Sequence, residues 1–182
     1  MKVLIIVDMQ KDFIDGSLGT KEAVAIVENV VNRVADSEGE LILFTQDTHD
    51  SGYLSTPEGK KLPVMHCLEG TEGWKINAKI LSAWRNNPNT VKASGLQENS
   101  FAKPVFASLK LVDYLKARAS KIDEIEILGL CTDICVISNA IIIKNTLPHI
   151  EISVNEKCCA GVTPQSHKEA INTMKMCQIN II

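Results

Sequence analysis

Three short apolar runs, each stopping at a polar residue, constrain this chain most. They are KVLIIV at Lys2–Val7, ELILFT at 40–45 and EIEIL at 124–128. Runs of this length, rich in β-branched residues, read as strands buried in a parallel sheet. Between them lie stretches with apolar positions at helical spacing, such as Val24, Val27, Val31 and Val34 within 21–35. Further helices are expected at 73–84, 105–117, 134–144 and Pro164–Met176, the last with proline at its start. Two more strands are expected at 151–154 and 179–182. Residues 47–73 are rich in Gly, Pro, Ser and His, and 86–99 are polar and marked by Pro and Gly, so both read as loops. Strands alternating with helices predict an α/β fold: three layers, α/β/α, around a mostly parallel sheet of the Rossmann type.

The 182 residues suit one domain, expected to span 1–182. Apolar residues make up 45% and charged residues 23%, as in an ordinary soluble protein. The net charge of -3, with no block of like charges, argues against nucleic acid or an anionic membrane as partner. The first apolar run is too short for a signal segment, so a cytoplasmic location is expected. The six cysteines are then expected to be reduced.

In such sheets a ligand sits beyond the carboxyl ends of the strands. The first run ends in Asp8. The second is followed by Gln46, Asp47 and His49. The run at 124–128 leads through Gly129 into CTDIC, residues 131–135. Carboxylate, histidine and thiol are thus expected on one rim of the sheet. Metal binding by Cys131 and Cys135 is disfavoured, because zinc sites and redox pairs favour two-residue spacing. Cys158, Cys159 and Cys177 read as core packing. Cys135 is expected in the first turn of a helix after a strand. The helix dipole would lower its thiol pKa there, and backbone N–H groups would face a substrate oxygen. From the residues alone, both packing and nucleophile stay open for Cys135. Asp47-x-His49 puts two ligand-type side chains on one side of an extended segment. His66 follows, with Glu58 between. Spacing alone leaves these open between a divalent-metal site and solvated loop histidines.

VDMQKDF at 7–13, KPVF at 103–106 and GLCTDICV at 129–136, in that order, resemble the isochorismatase-like cysteine hydrolases, which include nicotinamidases. The resemblance covers essentially the whole chain. It implies a catalytic Asp8, Lys103 and Cys135, with Lys92 as the rival lysine. It also implies a non-proline cis peptide at Leu130–Cys131 and an oxyanion hole built from the N–H groups of Cys131 and Cys135. Asp133 is expected to be an internal hydrogen-bonding residue. The implied reaction is hydrolysis of the amide C–N bond of a small molecule through a thioester, with nicotinamide to nicotinate plus ammonia as the nearest model. N-carbamoylsarcosine-type or ureidoacrylate-type amides are the alternative, then isochorismatase chemistry or a thiol protein without this activity.

By the same resemblance Asp47, His49 and His66 would hold a divalent metal, Zn²⁺ first, with Mn²⁺ or Fe²⁺ as alternatives and Glu58 as a further ligand. In nicotinamidases that metal binds the pyridine nitrogen. Phe13 is expected as one wall of the substrate pocket, with Trp74 also available. Pro63 stands where nicotinamidases usually carry an aromatic residue. His149 and His167 read as surface residues. A homo-oligomer is expected from the family habit.

Overall fold

Six parallel strands form the centre of the molecule, in the order β3-β2-β1-β4-β5-β6. This computed structural model describes residues 1–92 and 95–182. The strands are β1 (Lys2–Val7), β2 (Leu41–Asp47), β3 (Ser100–Lys103), β4 (Glu124–Leu130), β5 (Glu151–Ala160) and β6 (Asn180–Ile181). Eight α-helices accompany them among the described residues. They are α1 (Lys11–Ile14), α2 (Lys21–Ala35), α3 (Pro57–Lys61), α4 (Ala78–Asn86), α5 (Leu96–Asn99), α6 (Leu109–Lys116), α7 (Ile137–Thr146) and α8 (Pro164–Met176). α2 packs on α4, while α7 packs on both α6 and α8. The three-layer α/β/α architecture is the one the alternating pattern predicts. No described helix is long and apolar enough to cross a membrane.

The central strands are buried on both faces, as continuous apolar runs require. Val3 to Val7 and all of β2 are buried. α2 starts at Thr20, whose side chain accepts the Ala23 N–H at 3.0 Å and so satisfies one free donor of the first turn. Its buried stripe is Ala23, Ile26, Val27, Val30 and Val34. Val24, expected on that stripe, is 51% exposed. The stripe starts one residue earlier, which turns Val24 towards solvent.

Other boundaries move for identifiable reasons. The helix expected from 73 begins only at Ala78, because residues 73–77 are tied to the N-terminal segment. Asp12 N–H donates to Gly73 O, Lys11 N–H to Lys75 O, and Asn77 N–H to Met9 O, at 3.0, 3.0 and 2.8 Å. The helix expected from 105 begins at Leu109, with the Ser108 hydroxyl accepting the Leu111 N–H at 3.2 Å. The strand expected at 151–154 continues to Ala160, past an irregular register against β4. β3 was not expected at all. It has four residues and pairs only with β2, so it carries too little pattern to stand out from a loop. The expected loop at 86–99 otherwise includes 93 and 94, which lie outside the described residues.

The strand order reverses direction at β1, which has β2 on one side and β4 on the other. Connections beyond these carboxyl ends diverge and leave a crevice. Gly129 lets β4 run close to β1 just before the crevice. Its φ is +121°, and a Cβ there would stand 2.1 Å from Val7 O. Only glycine fits.

Candidate active site

Three strand ends deliver the reactive groups. Asp8 follows β1, with a left-handed φ of +46°. Lys103 ends β3 and pairs in register with Asp47 at the end of β2. Cys135 lies in the turn beyond β4. The structure brings Asp8, Lys103 and Cys135 together. Lys103 Nζ is 2.6 Å from Asp8 Oδ2, 3.3 Å from Asp47 Oδ1 and 3.4 Å from Cys135 Sγ. All of these groups are buried, Lys103 with only 1% of its surface exposed. The rival Lys92 is elsewhere: its ammonium donates to Arg85 O at 2.9 Å and lies over the Trp84 ring.

Charge and burial compete at this centre. Burial pushes the Asp8 carboxyl up, against the pull of the Lys103 cation, and the net shift is upward. Burial opposes the charge on Lys103, yet Asp8, Cys135 and Asp47 outweigh it and hold the ammonium protonated. The Cys135 thiol stands well above its ordinary value, pushed by burial and then by the Asp8 charge, with Lys103 pulling the other way. This corrects the expectation of a dipole-lowered thiol. Thr132–Val136 forms a turn of π-helix ahead of α7, so Cys135 does not sit in the first α-helical turn. The Ile134 and Val136 N–H groups both donate to Cys131 O, at 3.1 and 3.0 Å, and close this turn. The Leu130–Cys131 peptide is cis. The Cys131 side chain is half-buried, its thiol pushed up to about 12 by burial and by Asp133.

Several supporting residues escaped the sequence reading. The Thr45 hydroxyl donates to Asp8 Oδ1 at 2.7 Å. Asn139 locks the Lys103 loop to the Cys135 turn: its amide donates to Cys135 O and Phe106 O, and its oxygen accepts the Ser108 N–H. Asp133 accepts the Val162 N–H, at 3.2 and 3.1 Å to its two oxygens. His167 is not a surface residue. It is half-buried, with Nδ1 2.8 Å from the Thr132 hydroxyl. His149 is exposed. Cys158 and Cys159 are buried, but Cys177 is exposed where core packing was expected.

Beside Lys103, Asp47, His49 and His66 converge, with their ligand-type atoms within 4.8 Å of one another. Asp47 Oδ2 is 2.9 Å from His49 Nε2 and 3.4 Å from His66 Nε2. His66 Nδ1 is 2.8 Å from Val64 O, which can only accept, so in the neutral ring Nδ1 carries the proton. The Nε2 lone pair of His66 therefore faces a carboxylate oxygen. His49 Nε2 is buried with no aligned hydrogen-bond partner. Two nitrogens and a carboxylate converging in this way fit a divalent cation. Burial alone would raise the Asp47 carboxyl, but the two histidines and Lys103 outweigh it and hold it well below the usual carboxylate range. Glu58 stands outside this trio. It is half-exposed on α3, and its charge helps to raise the His66 pKa.

The ring that does enclose the trio is Tyr53, 4.4 Å from the His49 ring and 4.9 Å from that of His66 between centroids. An aromatic residue between two candidate histidines was the available signal for it. Phe13 is half-buried, its ring 5.5 Å from that of His66. Trp74 is held by its indole N–H donating to the Thr48 hydroxyl at 2.9 Å. Pro63 is exposed.

A sheet rim that unites a thiol, an ammonium and a carboxylate with a metal-type trio defines a class of small-molecule hydrolase. The Isochorismatase domain model matches residues 2–182. The chain belongs to the isochorismatase family of hydrolases. The nicotinamidase/pyrazinamidase of Mycobacterium tuberculosis is 26% identical, over 100% of this chain and 98% of that protein. The crystal structure of a pyrazinamidase/nicotinamidase from Streptococcus mutans UA159 superposes with a TM-score of 0.81 at 27% identity, covering 100% of both chains. The pyrazinamidase of Pyrococcus horikoshii in complex with zinc has the same fold, with a TM-score of 0.78 at 22% identity, over 100% of this chain and 98% of that one.

Proposed function

We propose that this chain is a cysteine amidohydrolase that cleaves a small carboxamide of the nicotinamide kind through a thioester on Cys135. The observation that carries the reading is the buried contact of Lys103 with both Asp8 and Cys135. In the resting enzyme Cys135 is a neutral thiol. Asp8 accepts its proton as the sulfur attacks the carbonyl carbon, and the carbonyl π pair moves to oxygen. The N–H groups of Cys131 and Cys135 donate to that oxyanion. On its collapse the C–N bond breaks, and Asp8 returns the proton to the leaving nitrogen, which departs as ammonia from a primary amide. Asp8 then takes a proton from water, whose oxygen attacks the thioester. The C–S bond breaks, and the proton ends on the sulfur. A carboxyl that must hold a proton in turn benefits from the upward shift burial gives Asp8.

Asp47, His49 and His66 would hold a divalent ion, with Zn²⁺ the first choice and Mn²⁺ or Fe²⁺ the alternatives. When bound it would supply a Lewis-acid anchor for a substrate heteroatom. The zinc complex of the Pyrococcus relative supports this choice. Ammonia release from nicotinamide, pyrazinamide and N-carbamoylsarcosine, measured on metal-loaded protein, tests the reading. Ammonia from nicotinamide is expected, and none from Cys135→Ala. Turnover retained by Cys135→Ala, or no ammonia from any of the three amides, would overturn it.

A further inference from the structure

Asp8 is the first residue of a longer motif, DMQKDF, and the reaction proposed above leaves Gln10 and Asp12 without a part. Gln10 is completely buried. Its Oε1 accepts the Asp47 N–H at 2.7 Å, and its Nε2 donates to Asp47 O at 2.9 Å and to Trp74 O at 2.8 Å. The side-chain amide thus grips both backbone groups of one residue, as a neighbouring strand would. It does so on the side of β2 where β1 has already ended and β3 alone still pairs with it. An aliphatic residue of the same size would leave an N–H and a carbonyl of Asp47 buried and unpaired.

Asp12 does the same on the other side. Its Oδ2 accepts the Cys67 N–H at 2.8 Å, and Oδ1 the Ser17 N–H at 3.3 Å. Cys67 follows His66 directly and has a left-handed φ of +47°, which a non-glycine residue adopts only when something holds it. The Cys67 carbonyl accepts the His49 N–H at 3.0 Å, and Glu69 N–H returns a bond to His49 O. Cys67 therefore links the backbones that carry both histidines. Gly73 packs on the Asp12 carboxylate so closely that a Cβ there would stand 2.1 Å from Oδ2.

Gln10 and Asp12 lie two residues apart on one segment, and each reaches the backbone at or next to a different member of the trio. We propose that they are positioning residues of the metal centre. Gln10 fixes Asp47, Asp12 fixes the Cys67 link between His49 and His66, and together they set how tightly the three side chains hold a divalent ion. Metal-ligand orientation is commonly set by such outer contacts, whose loss weakens affinity about 10- to 100-fold. The inference rests on the reading that Asp47, His49 and His66 bind a metal.

Zn²⁺ titration of metal-free protein against a competing chromogenic chelator tests it, with melting curves of the same metal-free samples. Gln10→Ala and Asp12→Ala are expected to raise the Zn²⁺ Kd at least about 10-fold, with metal-free melting lowered by the unpaired backbone groups but still cooperative. Asp12→Asn keeps an oxygen for the Cys67 N–H and is expected to return to within about 5-fold of the parent. Gln10→Glu keeps the acceptor and loses both donations, and it carries the same 10-fold expectation should Gln10→Ala not fold. Affinities within about 3-fold of the parent for the folded variants at both positions would overturn the inference, as would Asp12→Asn binding no better than Asp12→Ala. If the parent binds Zn²⁺ tightly and the variants match it, the inference alone fails. If the parent takes up no Zn²⁺, the metal reading and the inference fall together.

Discussion

Lys103 Nζ lies 3.3 Å from Asp47 Oδ1, and this contact joins two sets of residues that the sequence keeps apart. On one side of the ammonium are Asp8 and Cys135, and on the other is the carboxylate shared by His49 and His66. One buried cation faces two buried carboxylates, so the protein groups alone leave an excess of negative charge. That excess favours a cation at the trio and opposes a thiolate at Cys135. On the proposed mechanism, thiol attack and proton transfer to Asp8 are then expected to be concerted, or nearly so.

Replacing Lys103 by Met removes the ammonium that both carboxylates share and leaves both buried. The loss is expected to be about 3 kcal/mol in denaturant unfolding, together with the loss of turnover. Lys92→Met, which touches only the exposed Arg85 carbonyl and the Trp84 face, should change stability by less than about 0.5 kcal/mol. Equal effects of the two substitutions would contradict the geometry.

A second electrostatic centre lies on the α2 side of the sheet. Arg33 holds Glu40 at 2.8 and 2.9 Å and Glu126 at 2.7 and 3.0 Å. Burial raises the Glu40 carboxyl, but Arg33 and Ser37 outweigh it and hold it below the ordinary value of 4.5. A group whose folded pKa is depressed contributes fully above its unfolded value and loses that contribution as pH falls through the folded one. Arg33 stays charged throughout and adds no slope. Glu40→Gln is therefore expected to flatten the fall in stability below about pH 4.5, and to matter less to that slope above it. Unfolding midpoints measured across that range check this, and an unchanged acid slope would refute it.

What the sequence made legible follows from where each signal resides. β1, α2 and α8 carry their own periodicity, and their expected bounds agree with the structure. Asp8 and Cys135 were visible because an apolar run stops beside each. Lys103 came from family likeness alone, because its strand is four residues long and reads as loop. Gln10 and Tyr53 were passed over for a different reason. Gln10 acts on a backbone 37 residues away, and Tyr53 acts by packing on two rings that meet only after the loop has closed. Glu58 shows the converse: the right residue type in the right interval, yet outside the cluster of Asp47, His49 and His66.

On the proposed metal reading, chelation or the loss of a candidate ligand should separate binding from chemistry. In His66→Ala, or after chelation, KM is expected to rise by at least about 10-fold while kcat falls less, because Asp8, Lys103 and Cys135 do not depend on His66 for their contacts. Steady-state kinetics with and without added Zn²⁺ decide this. A collapse of kcat at unchanged KM would place the metal in the chemical step instead.

Gly129 offers the sharpest structural test of how the Cys131–Cys135 turn is held. It is the residue at which β4 passes β1, in register with Val7, one residue before Asp8. An alanine there meets two obstacles at once: a φ of +121°, which L side chains rarely adopt, and Val7 O at 2.1 Å from the new Cβ. The neighbour is backbone in the middle of the sheet, so it cannot swing away as a flexible side chain would. Relief has to come from parting β1 and β4 at their carboxyl ends, where Asp8 and the Cys131–Cys135 turn begin. Gly129→Ala is expected to cost about 3 kcal/mol of stability, within the range for a strained backbone position in a packed setting. Folded material that survives should lose activity beyond what its stability explains. By contrast Gly39→Ala, at φ +67° with open space around it, pays only the backbone strain of about 1 kcal/mol and should keep full turnover. Melting temperatures and ammonia release for the pair separate crowding from conformation, and equal losses in the two variants would show that φ alone, not the approach to Val7, fixes glycine at 129.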